Sequence, residues 1–392
     1  MYDFKCDKKF DLELNVPDFS TRYSELLHST KKNIIIIKDK FDHSTFRYRG
    51  YNVIQTMKNN EKYNVVCFLV EELHLLYGLL DKIEFVILQR ARWSFEINSF
   101  ISVLKGNNIK IVYDIDDLIY NSKYVPKYLN SIGDYRDQSI DHFFAYSKRY
   151  EIIAEMCDAF IVTTDKLYEK VKEDFNKPTW IFHNYLNLEQ QKASDEVIKL
   201  KNKTYSNDKF VIGYFSGSPS HKRDLEIIEP AIVKLMNDYE DIYLKIVGYM
   251  DVSPELKKFK DEGRVIFSKF VSFEELQYEI GMVDLNIIPL QKHEFNDCKS
   301  ELKYFEASIV NTLTCATDNA IYKNVIEDGV DGFLSDEISW YKKIEFIYLN
   351  YDKLDIVVEN ARKKCYRNYG NKEQEKGLEE LYDDIIDKLV NN

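Results

Sequence analysis

Lys299 and Lys303 stand four residues apart, and Glu306 follows one turn later. On a helix the two ammonium groups share one face near its start, with the carboxylate further along nearly the same face. Cations at a helix N-terminus oppose the dipole and cost stability locally. A bound diphosphate would offset that cost, and the carboxylate could accept both hydroxyls of a ribose. A solvated Lys/Glu face is the ordinary reading of such a charge run, but it leaves the lysines at the wrong end unexplained.

Two further groups have comparable chemistry. Ser216-Gly217-Ser218-Pro219-Ser220-His221-Lys222-Arg223-Asp224 follows an apolar run and leads into a helical pattern. Gly217 permits close backbone approach, the serine hydroxyls can donate, and His221, Lys222 and Arg223 add positive charge where a helix start favours an anion. The spacing is not GxGxxG, so a standard dinucleotide fingerprint is absent. Asp114, Asp116 and Asp117 end another apolar run. Three carboxylates this close repel, so one has a raised pKa or a cationic neighbour, as suits a base. Capping of the following helix is the alternative. Arg47 and Arg49, among tyrosines, and Arg90 and Arg92, before Trp93, form basic and aromatic corners suited to an anionic or carbohydrate ligand.

The elements that position these groups are legible from hydropathy. Strands are expected at 33–38, 63–70, 85–88, 109–113, 159–163 and 179–182, and again at 210–215, 242–247, 264–267, 284–288 and 312–317, with amphipathic helical stretches between. The strand runs are continuously apolar rather than alternating, as in parallel sheets covered on both faces. Alternating β and α at this spacing means βαβ units. The fold class expected is α/β, with two Rossmann-like doubly wound domains facing a cleft. The first domain spans 1–188, a polar linker 189–208, the second domain 209–371, and a closing helix in 372–392 crosses back to the first. Ligands of such sheets bind beyond the carboxyl ends of the strands, where all the groups above fall.

Composition narrows the partners. The 392 residues include 66 acidic and 54 basic side chains, a net charge of −12, which argues against a nucleic-acid surface. Glycine and proline number only 13 and 7, excluding glycine-repeat and linker-rich architectures. Six scattered cysteines without metal spacing read as buried free thiols of a reducing compartment. With no apolar run long enough to span a bilayer and a polar start, a cytoplasmic protein is expected, compatible with peripheral association at the inner face of the membrane.

Residues 210–336 resemble the donor-binding domain of GT-B-fold glycosyltransferases, particularly glycosyltransferase family 4. The resemblance rests on the Ser-Gly-Ser-x-x-His-Lys-Arg-Asp loop, the Lys-Ser-x-x-Lys-x-x-Glu stretch and Asp328-Gly329-Val330-Asp331-Gly332-Phe333-Leu334, in the family's order. It implies that Lys299, Ser300 and Lys303 hold a diphosphate and Glu306 the ribose. Ser216, Gly217, Ser218, His221, Lys222 and Arg223 would hold phosphates and sugar, with the base against Phe270 and Val271. Asp116 matches a histidine near the reacting sugar, with Asp114 and Asp117 as further catalytic candidates; Arg47, Arg49, Arg90 and Arg92 would face the acceptor. Eight residues before Glu306, where the family often has a second glutamate, stands Cys298. His183-Asn184 resembles the turn by which these enzymes leave their first domain.

The activity implied is transfer of a sugar, by a retaining hexosyltransferase, from a nucleoside diphosphate sugar to an oligosaccharide, lipid-linked or protein-linked glycan in bacterial surface polysaccharide or glycoconjugate assembly. It needs no cofactor and no metal. The alternatives are a sugar-nucleotide epimerase or phosphorylase on the same fold, or a non-catalytic partner subunit.

Overall fold

The computed structural model describes residues 14–204, 208–217, 222–248 and 253–391. Two six-stranded sheets, each wholly parallel, carry the chain. The first holds β1 (Lys32–Lys38), β2 (Tyr63–Leu69), β3 (Ile83–Gln89), β4 (Lys110–Ile115), β5 (Ala159–Val162) and β6 (Thr179–Ile181), in the order β2-β1-β3-β4-β5-β6. The second holds β7 (Phe210–Ser216), β8 (Ile242–Gly248), β9 (Val265–Ser268), β10 (Leu285–Ile288), β11 (Leu313–Thr317) and β12 (Phe333–Ser335), in the order β12-β11-β10-β7-β8-β9. These are two doubly wound, Rossmann-like domains.

The isoleucine run of β1 shows why both faces are apolar. Ile34 and Ile36 enter one hydrophobic cluster and Ile35 and Ile37 another, because successive side chains point to opposite faces. Apolar layers cover both faces, so the four central positions are all isoleucine, and the polar Lys32, Asn33 and Lys38 lie at the strand's ends. The cluster under Ile34 also takes in Phe305, Ala307 and Ile309 of the second domain and Leu378, Tyr382 and Ile385 of the last long helix, Asn371–Ile385. That helix lies against the first domain: Trp180 donates to Asp384 at 2.6 Å, and Asn371 to Thr56 at 2.7 Å.

The stretch read above as a linker carries the helix Leu188–Thr204. Its buried face is Gln190, Ala193, Ser194, Val197 and Lys201, a helical spacing built mostly from polar residues. Hydropathy therefore could not register it. Lys201 donates to the carbonyls of Val310 and Asn311 at 3.2 and 2.8 Å, tying the helix to the second domain.

At the end of β8, Gly248 has φ +107°, and a Cβ there would lie 1.9 Å from the Ser216 carbonyl oxygen of β7, its register partner. Only glycine allows this approach. Gly248→Ala is expected to cost about 1–3 kcal/mol in urea unfolding and to displace Ser216. Unchanged stability would contradict the close packing.

Candidate functional site

The strand order of the second sheet reverses between β7 and β10, and the crevice at their carboxyl ends is the natural ligand position. Two crossovers meet there. Gln291, just past β10, donates through its backbone and side-chain nitrogens to Asp224, each at 3.1 Å, near the start of the helix Lys222–Asp238. The buried Asp224 carboxylate thereby fixes the rim.

Lys303 and Lys299 occupy this rim. The helix begins at Leu302, so Lys303 lies in its first turn and Lys299 in the preceding turn, rather than both on one helical face. Lys303 Nζ is 5.4 Å from the Tyr214 ring centroid, and Lys299 Nζ is 5.5 Å from that of Phe295. Burial pulls the Lys303 pKa down to about 8, with the Asp224 carboxylate opposing and Lys299 reinforcing the shift. Among the described residues neither lysine forms an ion pair, whereas Lys201, Arg49 and Arg90 are all engaged. Two under-compensated cations in one region have the charge to suit an anion. Ser300 donates to Glu301 at 3.3 Å and is only partly exposed.

Glu306 is buried and its carboxylate is met by protein donors from elsewhere. Tyr48 donates to it in a short hydrogen bond, Arg47 lies at 3.4 Å and Gln190 at 3.4 Å. A residue expected to meet a ribose thus joins the two domains in this arrangement. Arg223 likewise reaches the other domain, donating at 2.7 Å to the Asn130 carbonyl at the C-terminus of helix Val125–Ile132, where a cation is favoured. Gly217 is exposed and Ser216 is buried at the strand end. Ser218 and His221 lie outside the described residues, as does the Lys222 side chain. Phe270 is half exposed beyond β9 and Val271 packs against the interdomain cluster.

On the first domain's side the carboxylates separate into two environments. Asp114 is buried beneath the sheet end and paired with Arg49, Nη2 to Oδ2 2.7 Å. Burial raises its pKa and Arg49 opposes. Asp116 and Asp117 face Arg90 at 3.2 and 3.7 Å. Arg90 has φ +46°, strained for a non-glycine residue, and also donates to Thr45 at 3.0 Å. Burial raises the Asp117 pKa, with Arg90 and the Leu118 backbone N–H opposing it. Arg92 pairs with Asp39 at 3.0 Å and stacks over Tyr146.

Of the four arginines expected at an acceptor, Arg47 and Arg49 are therefore buried in ion pairs. The expected basic loop is instead a buried π-helical turn, Arg47–Tyr51, leading into the helix Asn52–Met57. The structure brings together Arg90, Asp117 and Lys299, which line one cavity of about 450 Å³ across the domain boundary. It also adds a contact that sequence reasoning missed: His183 lies 3.5 Å from the buried Glu301. The contact raises the histidine pKa, and it lowers that of Glu301 against the effect of burial. The Glu301 signal was present as a carboxylate between two site lysines. Among the described residues no three His, Cys, Asp or Glu side chains gather as a metal site, and no helix is long and apolar enough to cross a membrane.

No protein-family model matches the chain, and no curated protein matches it in sequence. Solved structures do match its fold. A glycosyltransferase from Rickettsia africae superposes with TM-score 0.64 at 15% identity, over 92% of this chain and 100% of that one. Sucrose-phosphate synthase from Thermosynechococcus elongatus gives 0.59 at 14%, over 91% and 99%. Anabaena HepE in complex with UDP gives 0.59 at 12%, over 90% and 100%. The two facing domains have the GT-B architecture of these glycosyltransferases.

Proposed function

We propose that the chain is a nucleotide-sugar-dependent glycosyltransferase similar to family 4. It would transfer a hexosyl group to a glycan acceptor in bacterial surface polysaccharide or glycoconjugate assembly, in the cytoplasm. The observation that carries this reading is the pair of lysines at the β7/β10 switch point that form no ion pair among the described residues, one of which, Lys299, shares a cavity with Arg90 and Asp117 across the domain boundary. HepE, of like fold, was solved with UDP, which makes UDP the first probe.

In this reading Lys299 and Lys303 neutralise the charge that grows on the departing diphosphate, in a site from which the two domains exclude water. Ser216 and Gly217 lie beside the phosphates, and Phe270 and Val271 border the base. Asp117 takes the proton of the acceptor hydroxyl: its basicity is raised by burial, and its carboxylate lines the cavity between the domains. Arg90 holds Asp116 and Asp117 in place. Glu306 and Arg223 act through the domain interface, fixing the closed cleft.

A thermal-shift screen of nucleoside diphosphates tests the donor site, and release of diphosphate from a sugar nucleotide with acceptor present tests transfer. Failure of every nucleoside diphosphate to stabilise the fold would remove the reading. Asp117→Asn is expected to lower turnover by about 10²–10⁴-fold, the range for loss of general base catalysis, while UDP affinity is retained. Full activity in that variant would remove Asp117 from the chemistry.

A further inference from the structure

The cavity that joins Arg90, Asp117 and Lys299 has walls the donor site does not need. Tyr128, Phe143 and Tyr146 come from the two helices that follow β4, and Phe295 comes from the second domain. Tyr128 meets Phe143 edge-on at 4.7 Å and Phe295 edge-on at 5.1 Å, so a ring from each domain holds it in place. Tyr128, Phe143 and Tyr146 are all partly exposed, leaving ring surface toward the cavity. At about 450 Å³ the space falls within the ~300–1,000 Å³ usual for ligand cavities.

The polar groups narrow the occupant. Arg90 already faces two carboxylates, Asp116 and Asp117, and Arg92 outside the cavity is taken by Asp39. No arginine here is left to bind an anion, and the remaining lining cation, Lys299, is the one the donor diphosphate would take in the proposed reading. Asp117, in contrast, lines the cavity with a carboxylate that is a quarter exposed. An occupant must therefore bring a hydroxyl to Asp117 and an apolar face to the rings. A purely apolar molecule would leave the carboxylate unsatisfied, and an anionic one would oppose it.

Taking the cleft as a sugar-transfer site, we propose that this aromatic box is the acceptor subsite and that it selects an uncharged hexopyranose. The C–H face of the ring lies on Tyr128, with the edge of Tyr146 beside it, and one hydroxyl donates to the Asp117 carboxylate. Lys299 marks the end of the box that opens toward the donor diphosphate. Specificity then rests on stacking and one hydroxyl, with the four arginines serving the protein's own carboxylates.

The test titrates the full chain, with and without UDP, with methyl glycosides of glucose, galactose and N-acetylglucosamine and with methyl glucuronide, read by saturation-transfer NMR. At least one neutral glycoside is expected to bind, and the glucuronide about tenfold more weakly or less. Tyr128→Leu and Tyr146→Leu are expected to weaken the neutral glycoside roughly tenfold, with the UDP dissociation constant within about twofold of the wild type. If a leucine variant does not fold, competition between neutral and charged glycosides on the wild-type chain decides alone. Equal or tighter glucuronide binding, wild-type affinity in both leucine variants, or UDP binding with no neutral glycoside bound would each overturn the subsite. Neutral glycosides bound through the tyrosines in a chain that never binds UDP would uphold the subsite and sink the donor reading.

Discussion

Lys303→Ala will weaken UDP binding by about 1.5–3 kcal/mol, the loss expected for a hydrogen bond to a charged group. The residue is unusual among the described cations of this chain: only partly exposed, against the Tyr214 ring, and without an ion pair. Burial has lowered its pKa to about 8 from the ordinary 10.5, with Asp224 opposing incompletely. A diphosphate supplies the missing charge. Because the anion binds the protonated lysine, affinity should be flat below pH 8 and fall by about tenfold per pH unit above it. Calorimetric titrations from pH 7 to 9.5 should show that slope in the wild type and lose it in the alanine variant.

The same residue makes a stability signature of opposite sign. Between pH 8 and 10.5 the unfolded chain holds the Lys303 proton and the folded chain releases it, so unliganded stability rises with pH through that window. Below pH 8 the destabilisation is fully present. Lys303→Met should therefore be at least as stable as the wild type near neutrality, while binding UDP poorly. A lysine that served packing would instead lose stability on substitution.

The sequence carried the sheets more clearly than the site. Strands such as Ile34–Ile37 announce themselves because both faces are covered, leaving no polar interruption. The strand β12 does not: it is three residues long and follows a loop containing Gly329 and Gly332, so it reads as part of a turn. The helix Leu188–Thr204 was hidden by its polar buried face. Lys299 and Lys303 were legible because lysines beside a helix start contradict local electrostatics. Arg47 and Arg49 misled for the opposite reason. A basic, aromatic stretch reads as surface, and the carboxylates that neutralise it, Glu306 and Asp114, lie 259 and 65 residues further along the chain. Local spacing cannot report a partner that only the tertiary fold supplies. The aromatic box is similar: its rings are scattered between Tyr128 and Phe295, and each alone reads as core.

The second large effect follows from one of those hidden pairs. Arg49→Met is expected to destabilise the chain by about 3–5 kcal/mol, since it leaves a buried carboxylate uncompensated. Arg49 is 3% exposed and Asp114 4%. The guanidinium bonds both carboxylate oxygens and also donates to the Phe182 carbonyl at 2.6 Å. It thus links the turn after β1, the end of β4 and the strand exit that leads to His183 and Asn184. Replacing both partners, Arg49→Met with Asp114→Leu, removes the stranded charge and should recover much of the loss in urea unfolding. The cycle also decides what Asp114 is for. If it holds the first domain together, Asp114→Asn lowers stability and turnover in step, and the double variant regains both. Were Asp114 part of the chemistry, the double variant would regain stability alone and stay inactive, because no hydrophobic pair can move a proton.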